Sequence, residues 1–568
     1  MTTLPRFSDP RDIDDFVSKL EAFERGDISP EDFRAFRLTR GVYGQRQEGE
    51  QMLRVKIPMG LVGREQLLAI ADVADTWSRG FGHVTTRQNV QLHYVKMKDA
   101  EAAMRRLDEA GLTTRAACGN SVRTVTACDV ADVCGDAPFD VTPYAEALTR
   151  LFLRHPLSTS LPRKFKTAFS GCAHDCAKAA IHDLGFIASV RDDVPGFRVV
   201  AAGGLSSSPQ AAIVLEPFIP AGWIGRVGEA LVRLFHALGN RENRHRARLK
   251  YVLRKLGEAE FRARYRHYRD EVDREAAGEL VFEDRPARTP APPVVTDERP
   301  PGYLAWRASA VVDQKQQGHR AVHVRLRLGD ISATQLRGLA EIVDRFGDGS
   351  LRFTIDQNVL VPWVDLRSLP ALFIALSKLD LARLHIHTAR DVTSCPGADT
   401  CNLAVTASRR VASAIAERLD EPDARDLSAI AGTTLKVSGC PNSCGQHHIA
   451  DIGFHGGAKT FHAEGRTVPI YQLHLGGGVD EHGARFGKQI VKLIARRVPE
   501  AVVRLLRLYD THHASGESPK TFFARVDPKL VTSSLGSLLA APPTAEDEVD
   551  IGETTGFVVE TREGECAA

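Results

Sequence analysis

The stretch SGCAHDCAKAAIHDLGF, residues 170 to 186, recurs as SGCPNSCGQHHIADIGF at residues 438 to 454. Both cysteines, the isoleucine, the aspartate and the Gly-Phe pair keep their places in the two copies. Self-similarity at a fixed distance is typical of a duplicated structural unit. The chain of 568 residues therefore contains two copies of one ancestral unit, and the differences between the copies are a guide to function.

Three further matches lie upstream in the same order and at nearly the same distance. They are RVKIPMG (54–60) with HVRLRLG (323–329), EQLLAIAD (65–72) with TQLRGLAE (334–341), and VTTRQNV (84–90) with FTIDQNV (353–359). The stretch PARTPAPPVVTDERPPG, between the copies, is rich in proline and is typical of a linker.

Each copy begins with strand and helix patterns and continues into a larger α/β segment. In the first copy, apolar residues recur at helical spacing between strand patterns at 52–60 and 83–95. Strict alternation along the second strand places Gln88 on one face and Arg87 and Asn89 on the other. We expect an α+β fold of two tandem pseudo-symmetric repeats, each a ferredoxin-like half-domain followed by a larger α/β domain.

The repeat and the changes in composition predict the domain boundaries. We expect an N-terminal extension (1–35), a first half-domain (36–112) with its larger domain (113–285), a linker (286–302), a second half-domain (303–380) with its larger domain (381–540), and a polar tail (541–568).

Composition argues against several classes of function. Charged residues make up 26% of the chain but the net charge is only +2, so no global field recruits nucleic acid or an anionic membrane. The N-terminal residues MTTLPRFSDPRDIDDF lack the apolar core of a signal peptide, and no stretch has the length of a membrane span. Neither GxxxxGK nor GxGxxG after a strand occurs, so no site for ATP or a nicotinamide is visible. We expect a cytoplasmic protein.

Two cysteine pairs in the second copy suit an iron-sulfur cluster. Cys395 and Cys401 have five residues between them, and Cys440 and Cys444 have three, after the strand pattern 434–439. Thiolate cages hold such clusters, and exposed amides in the turn after a strand can stabilise sulfur charge. Structural zinc, buried free thiols and disulfides are the alternatives. Zinc usually spaces paired ligands two to four residues apart, and disulfides are rare inside cells.

Cations distinguish the first copy from the second. Four of them face uncharged or acidic residues in the repeat: Arg87 faces Asp356, Lys164 faces Gly432, Lys166 faces Thr434, and Arg123 faces Thr400 when Cys118 is aligned with Cys395. In the same alignment Cys401 falls opposite Thr124. A single surface cation is usually solvated, but this one-sided distribution predicts an anion site in one copy and a cluster in the other.

At these residues the chain resembles the sulfite and nitrite reductase family, whose members carry siroheme coupled to a [4Fe-4S] cluster. The resemblance spans nearly the whole chain, from Phe36 to Ala540. The motifs that carry it are TTRQNVQ (85–91), CGNSVRTV with Arg123, LPRKFKT (161–167), AAGGLSSS (201–208), CPGADTC (395–401), SGCPNSCG (438–445) and HLGGG (474–478).

The resemblance implies roles for particular residues, and it implies that the larger domains hold siroheme and the iron-sulfur cluster. The cluster ligands are Cys395, Cys401, Cys440 and Cys444, with the Cys444 thiolate also bridging to the siroheme iron. The distal anion pocket consists of Arg87, Arg123, Lys164 and Lys166. Candidates for binding the siroheme carboxylates are Gln88, Asn89, Gln357, Asn358 and Asn442, although polar residues in turns often satisfy local backbone.

The implied function is that of an assimilatory sulfite reductase, which reduces sulfite to sulfide with six electrons. Guanidinium groups can hold the sulfite oxygens, and ammonium groups add compact charge and mobile protons. The Lys164-Phe165-Lys166 segment favours sulfite, because plant-type nitrite reductases tend toward Lys-x-Asn there. Reduction of nitrite to ammonia is the first alternative. A cluster-bearing electron-transfer or sensor protein without catalysis is the second.

The electron donor in this interpretation is ferredoxin or a flavoprotein. An acidic ferredoxin needs a basic docking surface, and NRENRHRARLK (240–250) is a candidate, although such stretches are usually solvated helix faces.

The cysteines of the first copy raise two further hypotheses. Tyr43 and Cys118 stand where some family members form a thioether. Cys172 and Cys176, with Cys118 nearby and Cys128 as a further candidate ligand, could hold a second cluster. Because no counterpart of Cys401 is apparent, we expect relic thiols packed as small apolar residues, and iron counting distinguishes the two cases.

Overall fold

Two helices precede the first half-domain in the computed structural model, which describes residues 4–283, 288–463, 465–560 and 565. Helix α3 is the helix predicted between the two strand patterns, and it buries Leu67, Ile70 and Ala74. The elements are α1 (Pro10–Glu24), α2 (Pro30–Thr39), β1 (Val42–Gly44), β2 (Glu50–Val55), β3 (Leu61–Gly63), α3 (Arg64–Trp77), β4 (Phe81–Val84), β5 (Val90–Lys96) and α4 (Ala100–Glu109).

The larger domain of the first repeat combines a mixed sheet with helices. Its elements are β6 (Thr126–Ala127), α5 (Thr142–Leu153), β7 (Thr167–Ser170), β8 (Leu184–Arg191), β9 (Val194–Ala201), β10 (Ile213–Pro220), α6 (Ile224–Leu238), α7 (Leu249–Leu256) and α8 (Glu258–Arg274). The proline-rich segment follows, and from residue 288 onward it lies against the second half-domain. There Ala291 N donates to Gly347 O and Val294 N to Ser368 Oγ.

The second repeat has the same order of elements. Its half-domain contains α9 (Tyr303–Ala310), β11 (Val311–Asp313), β12 (His319–Val324), β13 (Asp330–Ser332), α10 (Ala333–Phe346), β14 (Ser350–Phe353), β15 (Val359–Asp365) and α11 (Leu369–Lys378). Its larger domain contains β16 (Thr393–Ser394), α12 (Ser408–Leu419), β17 (Leu435–Ser438), β18 (Ile452–Phe461), β19 (Arg466–Leu475), β20 (Gly478–Asp480), β21 (Gly483–Arg485), β22 (Lys488–Ile494), α13 (Val498–His512), α14 (Pro519–Arg525), α15 (Pro528–Ser534) and α16 (Gly536–Ala540).

The two half-domains exchange a strand. Strand β3 pairs antiparallel with β14 of the second half-domain, with Val62 opposite Leu351, and β13 pairs with β4 of the first, with Ile331 opposite Gly82. The resulting sheets have the orders β1-β2-β5-β4-β13 and β11-β12-β15-β14-β3. Apolar residues of both half-domains form one continuous core. Each half-domain therefore completes the other, because each would otherwise leave a sheet edge unpaired.

The larger domains repeat one topology, which confirms the predicted fold class. Their sheets have the orders β6-β7-β8-β9-β10 and β16-β17-β18-β19-β22. In both sheets the first three strands are parallel and the remaining pairings are antiparallel. None of the described helices is long and apolar enough to cross a membrane.

The sheet pairings correct the alignment of the two repeats. Strands β6 and β16 occupy equivalent edges, and the residues that follow them are Cys128 and Cys395. Cys128 N donates to Phe169 O at 3.2 Å, and Cys395 N donates to Val437 O at 3.3 Å. The alignment of Cys118 with Cys395 is therefore wrong, and with it the pairings of Arg123 with Thr400 and of Thr124 with Cys401.

A tight turn interrupts the predicted strand at 83–95, so strict alternation through Arg87, Gln88 and Asn89 is wrong. Gln88 adopts a φ of 58°, its backbone amide donates to Thr85 O at 2.9 Å, and Thr85 N donates to Asn89 O at 2.8 Å. The second repeat turns in the same way at Gln357, with a φ of 66°. Because of the turn, the Gln88 side chain is buried in the protein and Arg87 lies beside a cavity.

Candidate functional site

The four cysteines predicted to hold a cluster lie together in the second repeat. Cys395 follows β16, and Cys440 and Cys444 lie in the loop after β17. Burial, followed by the nearby sulfurs of Cys444, Cys395 and Cys401, raises the pKa of Cys440. Gly439 N donates to Cys395 Sγ at 3.2 Å. Converging thiols with an amide donor fit an iron-sulfur cluster, whose potential depends on such hydrogen bonds.

A cavity opens directly at Cys444, which is exposed. Residues of both repeats line it: Thr86, Arg87, Lys166, Ile181, His182, Leu205, Ser443, Cys444 and Gln446. The structure thus brings the last predicted cluster ligand together with two of the four predicted anion-binding cations.

Arg87 is oriented by a histidine that sequence reasoning missed. Arg87 Nη1 donates to His182 Nε2 at 2.9 Å, and His182 Nδ1 donates to Lys178 O at 2.7 Å, which leaves Nε2 free to accept. Burial, followed by the charge of Arg87, holds the pKa of His182 well below its usual range. A neutral imidazole is therefore available to orient the guanidinium. The repeat comparison contained the signal, because His182 faces Ala450.

Lys166 is oriented through its backbone. Lys166 N donates to Asp183 Oδ2 at 2.8 Å, and the buried Asp183 is bridged by Arg248 at 2.7 Å. Burial, followed by the charges of Arg87, Arg248 and then Lys164, holds the pKa of Lys166 well below its usual range. An ammonium group with a lowered pKa releases its proton readily. Lys164 is half-buried on the same segment.

Arg123 occupies a different position. Its guanidinium donates to Ala117 O at 2.8 Å and to Gly119 O at 2.7 Å, and the described residues that line the cavity do not include it. Its charge still acts on the site: burial, followed by the charge of Arg123, lowers the pKa of Arg87 to about 9.

Lys56 adds a cation that sequence reasoning did not single out. Burial, followed by the charges of Arg123, Arg87 and Arg115, lowers the pKa of Lys56 to about 7. Such a concentration of positive charge needs anions for neutralisation. It fits siroheme, a tetrapyrrole that carries many carboxylates, together with an anionic substrate. The sequence feature that could have identified Lys56 is its position within the repeated RVKIPMG motif.

The predicted siroheme-binding amides have structural partners. Gln88 Oε1 accepts from Ala127 N at 3.0 Å, and Gln357 Oε1 accepts from Ser394 N at 2.9 Å. Asn89 and Asn358 likewise accept from the backbone amides of Ile57 and Leu326. Asn442, in contrast, is exposed and accepts from Ser206 Oγ at 3.4 Å, next to the cysteine loop. Contact with siroheme stays a prediction for all five.

A group of histidines follows the cysteine loop. His455 Nδ1 lies 2.8 Å from His474 Nε2, and His447 Nδ1 lies 3.0 Å from Ser438 Oγ. Burial is the main cause that lowers the pKa of all three, so they are neutral hydrogen-bonding groups. In the first repeat the equivalent positions hold the apolar Ala179, Ile187 and Val200.

Two other predictions concern residues outside the cavity wall. Tyr43 and Cys118 lie in one small buried cluster with Leu38 and Met52, and the thioether between them stays a prediction. Within 240–250, Arg248 and Lys250 are buried and bind Asp183 and the 204–208 turn, so they are not available for docking.

Comparisons with known proteins match both parts of each repeat. The nitrite and sulphite reductase 4Fe-4S domain matches residues 118–271 and 386–525. The nitrite/sulfite reductase ferredoxin-like half domain matches residues 43–110 and 312–379.

Similar proteins include reductases of both anions. A ferredoxin-type sulfite reductase of Mycobacterium tuberculosis is 28% identical over 542 residues, covering 90% of this chain and 92% of the relative. A ferredoxin-nitrite reductase of Synechococcus elongatus is 30% identical over 466 residues, covering 81% and 86%. The solved structure of the Mycobacterium tuberculosis NirA protein matches with a TM-score of 0.76 and 26% identity, covering 90% of this chain and 95% of that one.

Proposed function

The chain belongs to the nitrite and sulfite reductase family, and from that premise we propose that it is an assimilatory sulfite reductase. In this proposal sulfite is reduced to sulfide by six electrons from ferredoxin or a flavoprotein. Siroheme would bind at the cavity beside Cys444, and Cys395, Cys401, Cys440 and Cys444 would hold a [4Fe-4S] cluster. The proposal includes a cytoplasmic location, as expected from the sequence.

One observation carries the proposal: Arg87, Lys166 and Cys444 line the same cavity although they come from different repeats. A cavity with only the thiolate would suit electron transfer, and one with only the cations would suit anion binding. Their combination supports a site that binds an anion beside a redox centre. This is also the observation against a cluster protein that has lost catalysis.

In the proposed reaction, different residues of the chain have different roles. When bound, siroheme coupled to the cluster supplies single electrons to the reacting anion. Arg87, oriented by His182, can donate to the anion oxygens, and its charge offsets the negative charge that reduction adds. Lys166, whose pKa is lowered by burial and then by Arg87, is suited to deliver protons as oxygen leaves as water.

The preference for sulfite rests on Lys166. Sulfite carries more negative charge than nitrite, so a second ammonium group in Lys164-Phe165-Lys166 benefits it more. Nitrite reduction is the second candidate, favoured by the Synechococcus elongatus relative, whose identity is 30%.

The test is Lys166→Asn, assayed with reduced viologen on both anions. We expect kcat/KM for sulfite to fall about 10²-fold, and more than kcat/KM for nitrite. Lys255→Asn, at an exposed position of α7, is the control and should change neither. Equal losses on the two anions would remove the case for sulfite. A visible spectrum without siroheme bands would remove both candidate reactions.

The donor is proposed from the names of the relatives, which specify ferredoxin. With Arg248 and Lys250 buried, the exposed cations of the 240–250 stretch are Arg241, Arg244 and Arg246. Docking of an acidic ferredoxin there predicts a reduction rate that falls as salt rises from 0.05 to 0.5 M, because exposed charges are screened at about 4 Å in the higher salt. A rate independent of salt would argue against docking at this stretch.

A further inference from the structure

The first repeat contains four cysteines with the spacing of the predicted cluster ligands. Cys128 and Cys134 have five residues between them, as do Cys395 and Cys401. Cys172 and Cys176 have three between them, as do Cys440 and Cys444. The incorrect alignment through Cys118 concealed this, because it left Cys134 out of the comparison.

The backbone holds the two sets of cysteines in the same way. Gly171 N donates to Cys128 Sγ at 3.2 Å, as Gly439 N donates to Cys395 Sγ at 3.2 Å. The residues before the first cysteines are also equivalent, because Ala127 N and Ser394 N donate to the turn glutamines Gln88 and Gln357. The backbone of His174 hydrogen-bonds the Cys172 thiol, and that of Asn442 hydrogen-bonds the Cys440 thiol.

The exposure of the thiols follows the same order in both sets. Cys128 and Cys172 are buried, Cys134 is half-buried and Cys176 is exposed; Cys395 and Cys440 are buried, Cys401 is half-buried and Cys444 is exposed. The Cys134 thiol lies close enough to interact with that of Cys172, as do the thiols of Cys172 and Cys176 and those of Cys176 and Cys128. The four thiols of the first repeat therefore form one contiguous group. None of the described cysteines is in a disulfide.

Relic thiols do not account for this arrangement. A small apolar role would be filled equally well by alanine, and it would require neither a half-buried nor an exposed thiol. Zinc prefers pairs of ligands two to four residues apart, which the Cys128 and Cys134 pair does not match. We propose that Cys128, Cys134, Cys172 and Cys176 bind a second [4Fe-4S] cluster.

The second cluster differs from the first in having no tetrapyrrole beside it. Cys444 faces a cavity with Arg87, whereas the counterpart of Arg87 is Asp356. Asp356 binds Lys178 at 2.7 Å and Lys436 at 2.6 Å, and Lys178 is the counterpart of Gln446, which lines the cavity at Cys444. The cluster of the first repeat is therefore coordinated only by its four thiolates.

The experiment is a count of iron, acid-labile sulfide and zinc per siroheme in anaerobically purified holoprotein. Two clusters and one siroheme predict about nine irons and about eight sulfides per siroheme, whereas one cluster predicts about five and about four. Normalising to siroheme removes the effect of protein that lacks all cofactors. About five irons overturns the proposal, and about five irons with one zinc assigns the site to zinc and overturns it equally.

The matched variants are Cys134→Ser and Cys401→Ser. Cys134→Ser should lose about four irons and about four sulfides while the siroheme bands persist, because its ligand set is separate from Cys444. Cys401→Ser should lose the cluster that is coupled to siroheme. If wild type contains about five irons and only Cys401→Ser loses iron, the second cluster fails while the proposed function stands. If the protein contains no siroheme, the proposed function fails, and iron per chain then tests the second cluster alone.

The reduced protein offers an independent measurement. Two paramagnetic clusters in one chain predict electron paramagnetic resonance signals that integrate to about two spins per chain after full reduction of both clusters, in contrast to about one for a single cluster. The Cys134→Ser spectrum should retain only the signal coupled to siroheme. A wild-type spectrum identical to that of Cys134→Ser would contradict the proposal even if the variant contained less iron.

Discussion

Arg87 and Asp356 occupy equivalent turns of the two repeats, yet the groups that face their side chains differ. Arg87 lines a cavity with Lys166 and Cys444, whereas Asp356 is neutralised by Lys178 and Lys436. The scaffold around both is the same, down to the glutamine that follows each residue and binds the start of a cysteine segment. The two repeats thus share a backbone, and a few charge differences leave a cationic cavity in one and ion pairs in the other.

The buried carboxylates show the same division between scaffold and function. Asp183 and Asp451 both accept from the backbone amide of the residue immediately before the second strand of the sheet, Lys166 before β7 and Thr434 before β17, each at 2.8 Å. The hydrogen bond is common to the repeats, but only the first repeat places a cation on the oriented residue. The shared framework therefore fixes the position of the residue, and the side chain at that position determines its chemistry.

The largest expected effect comes from removing one ligand of the cluster beside the cavity. Cys401→Ser should reduce viologen-dependent sulfite reduction about 10³-fold or more, because the path for electrons into the cavity is lost. Steady-state kinetics and the visible spectrum measure this. Cys566→Ser, a thiol with no neighbouring cysteine in the sequence, is the control and should keep full activity. Activity retained by Cys401→Ser would separate this cluster from the reaction.

Replacing Arg87 by the aspartate of the second repeat is expected to have the next largest effect. Arg87→Asp gives the first repeat the residue of the second, and it should lower kcat/KM for sulfite about 10²- to 10³-fold through loss of charge-assisted hydrogen bonds and repulsion of the anion. Arg244→Asp reverses an exposed charge in the same repeat and should have no effect with viologen as donor. A normal KM and kcat in Arg87→Asp would show that the anion binds elsewhere.

The reciprocal test removes the charge of Asp356, the counterpart of Arg87 in the second repeat. Burial alone would raise the pKa of Asp356, yet Lys178 and Lys436 hold it well below its usual range, so the carboxylate is charged at neutral pH. Asp356→Asn leaves two cations facing each other and should lower the free energy of unfolding by about 2 kcal/mol, which allows for the 34% exposure of the Asp356 side chain.

Urea unfolding of the holoprotein at pH 7.5 measures the effect of Asp356→Asn. Asp426→Asn, which removes an exposed ion pair with Arg425, should change stability by less than about 0.5 kcal/mol. If the two variants were equally stable, the ion pairs at Asp356 would not stabilise the filled site.

The smallest expected effect is on the pH dependence of stability, and it concerns a histidine that only the first half-domain has at this position. His93 faces Pro362 in the second repeat, and burial lowers the pKa of His93 to about 3. Because the unfolded chain binds the proton more tightly, stability is present above pH 6.5 and is progressively lost as pH falls from 6.5 toward 3. His93→Gln should reduce the loss of stability between pH 7.5 and pH 5.5 by about 1 kcal/mol.

Thermal unfolding of both proteins at pH 7.5 and pH 5.5 tests the role of His93. His267→Gln, at an exposed histidine paired with Glu271, is the control and should leave the pH dependence close to that of wild type. An unchanged pH dependence in His93→Gln would mean that another group controls the acid sensitivity of the first half-domain.

Much of the architecture and of the site could be predicted from local pattern. The duplication, helix α3, the cysteine pairs of the second repeat and the cationic excess of the first all follow from residue type and spacing. The prediction failed where strand periodicity was extended through 85–89, because alternation does not reveal a turn in which Gln88 adopts a positive φ. It failed again at Cys118, because a match between isolated cysteines contains no information about strand register.

By itself, the sequence determined that the chain is a duplicated α+β protein with thiols suited to a cluster and cations suited to an anion. Only the tertiary structure decided that β3 and β13 change places between half-domains, that Cys128 is the equivalent of Cys395, and that Arg87 meets Cys444 across the repeats. The reason is physical. Side-chain periodicity reports which face of an element is buried, whereas strand register and contacts between distant segments depend on hydrogen bonds and packing formed only when the whole chain folds.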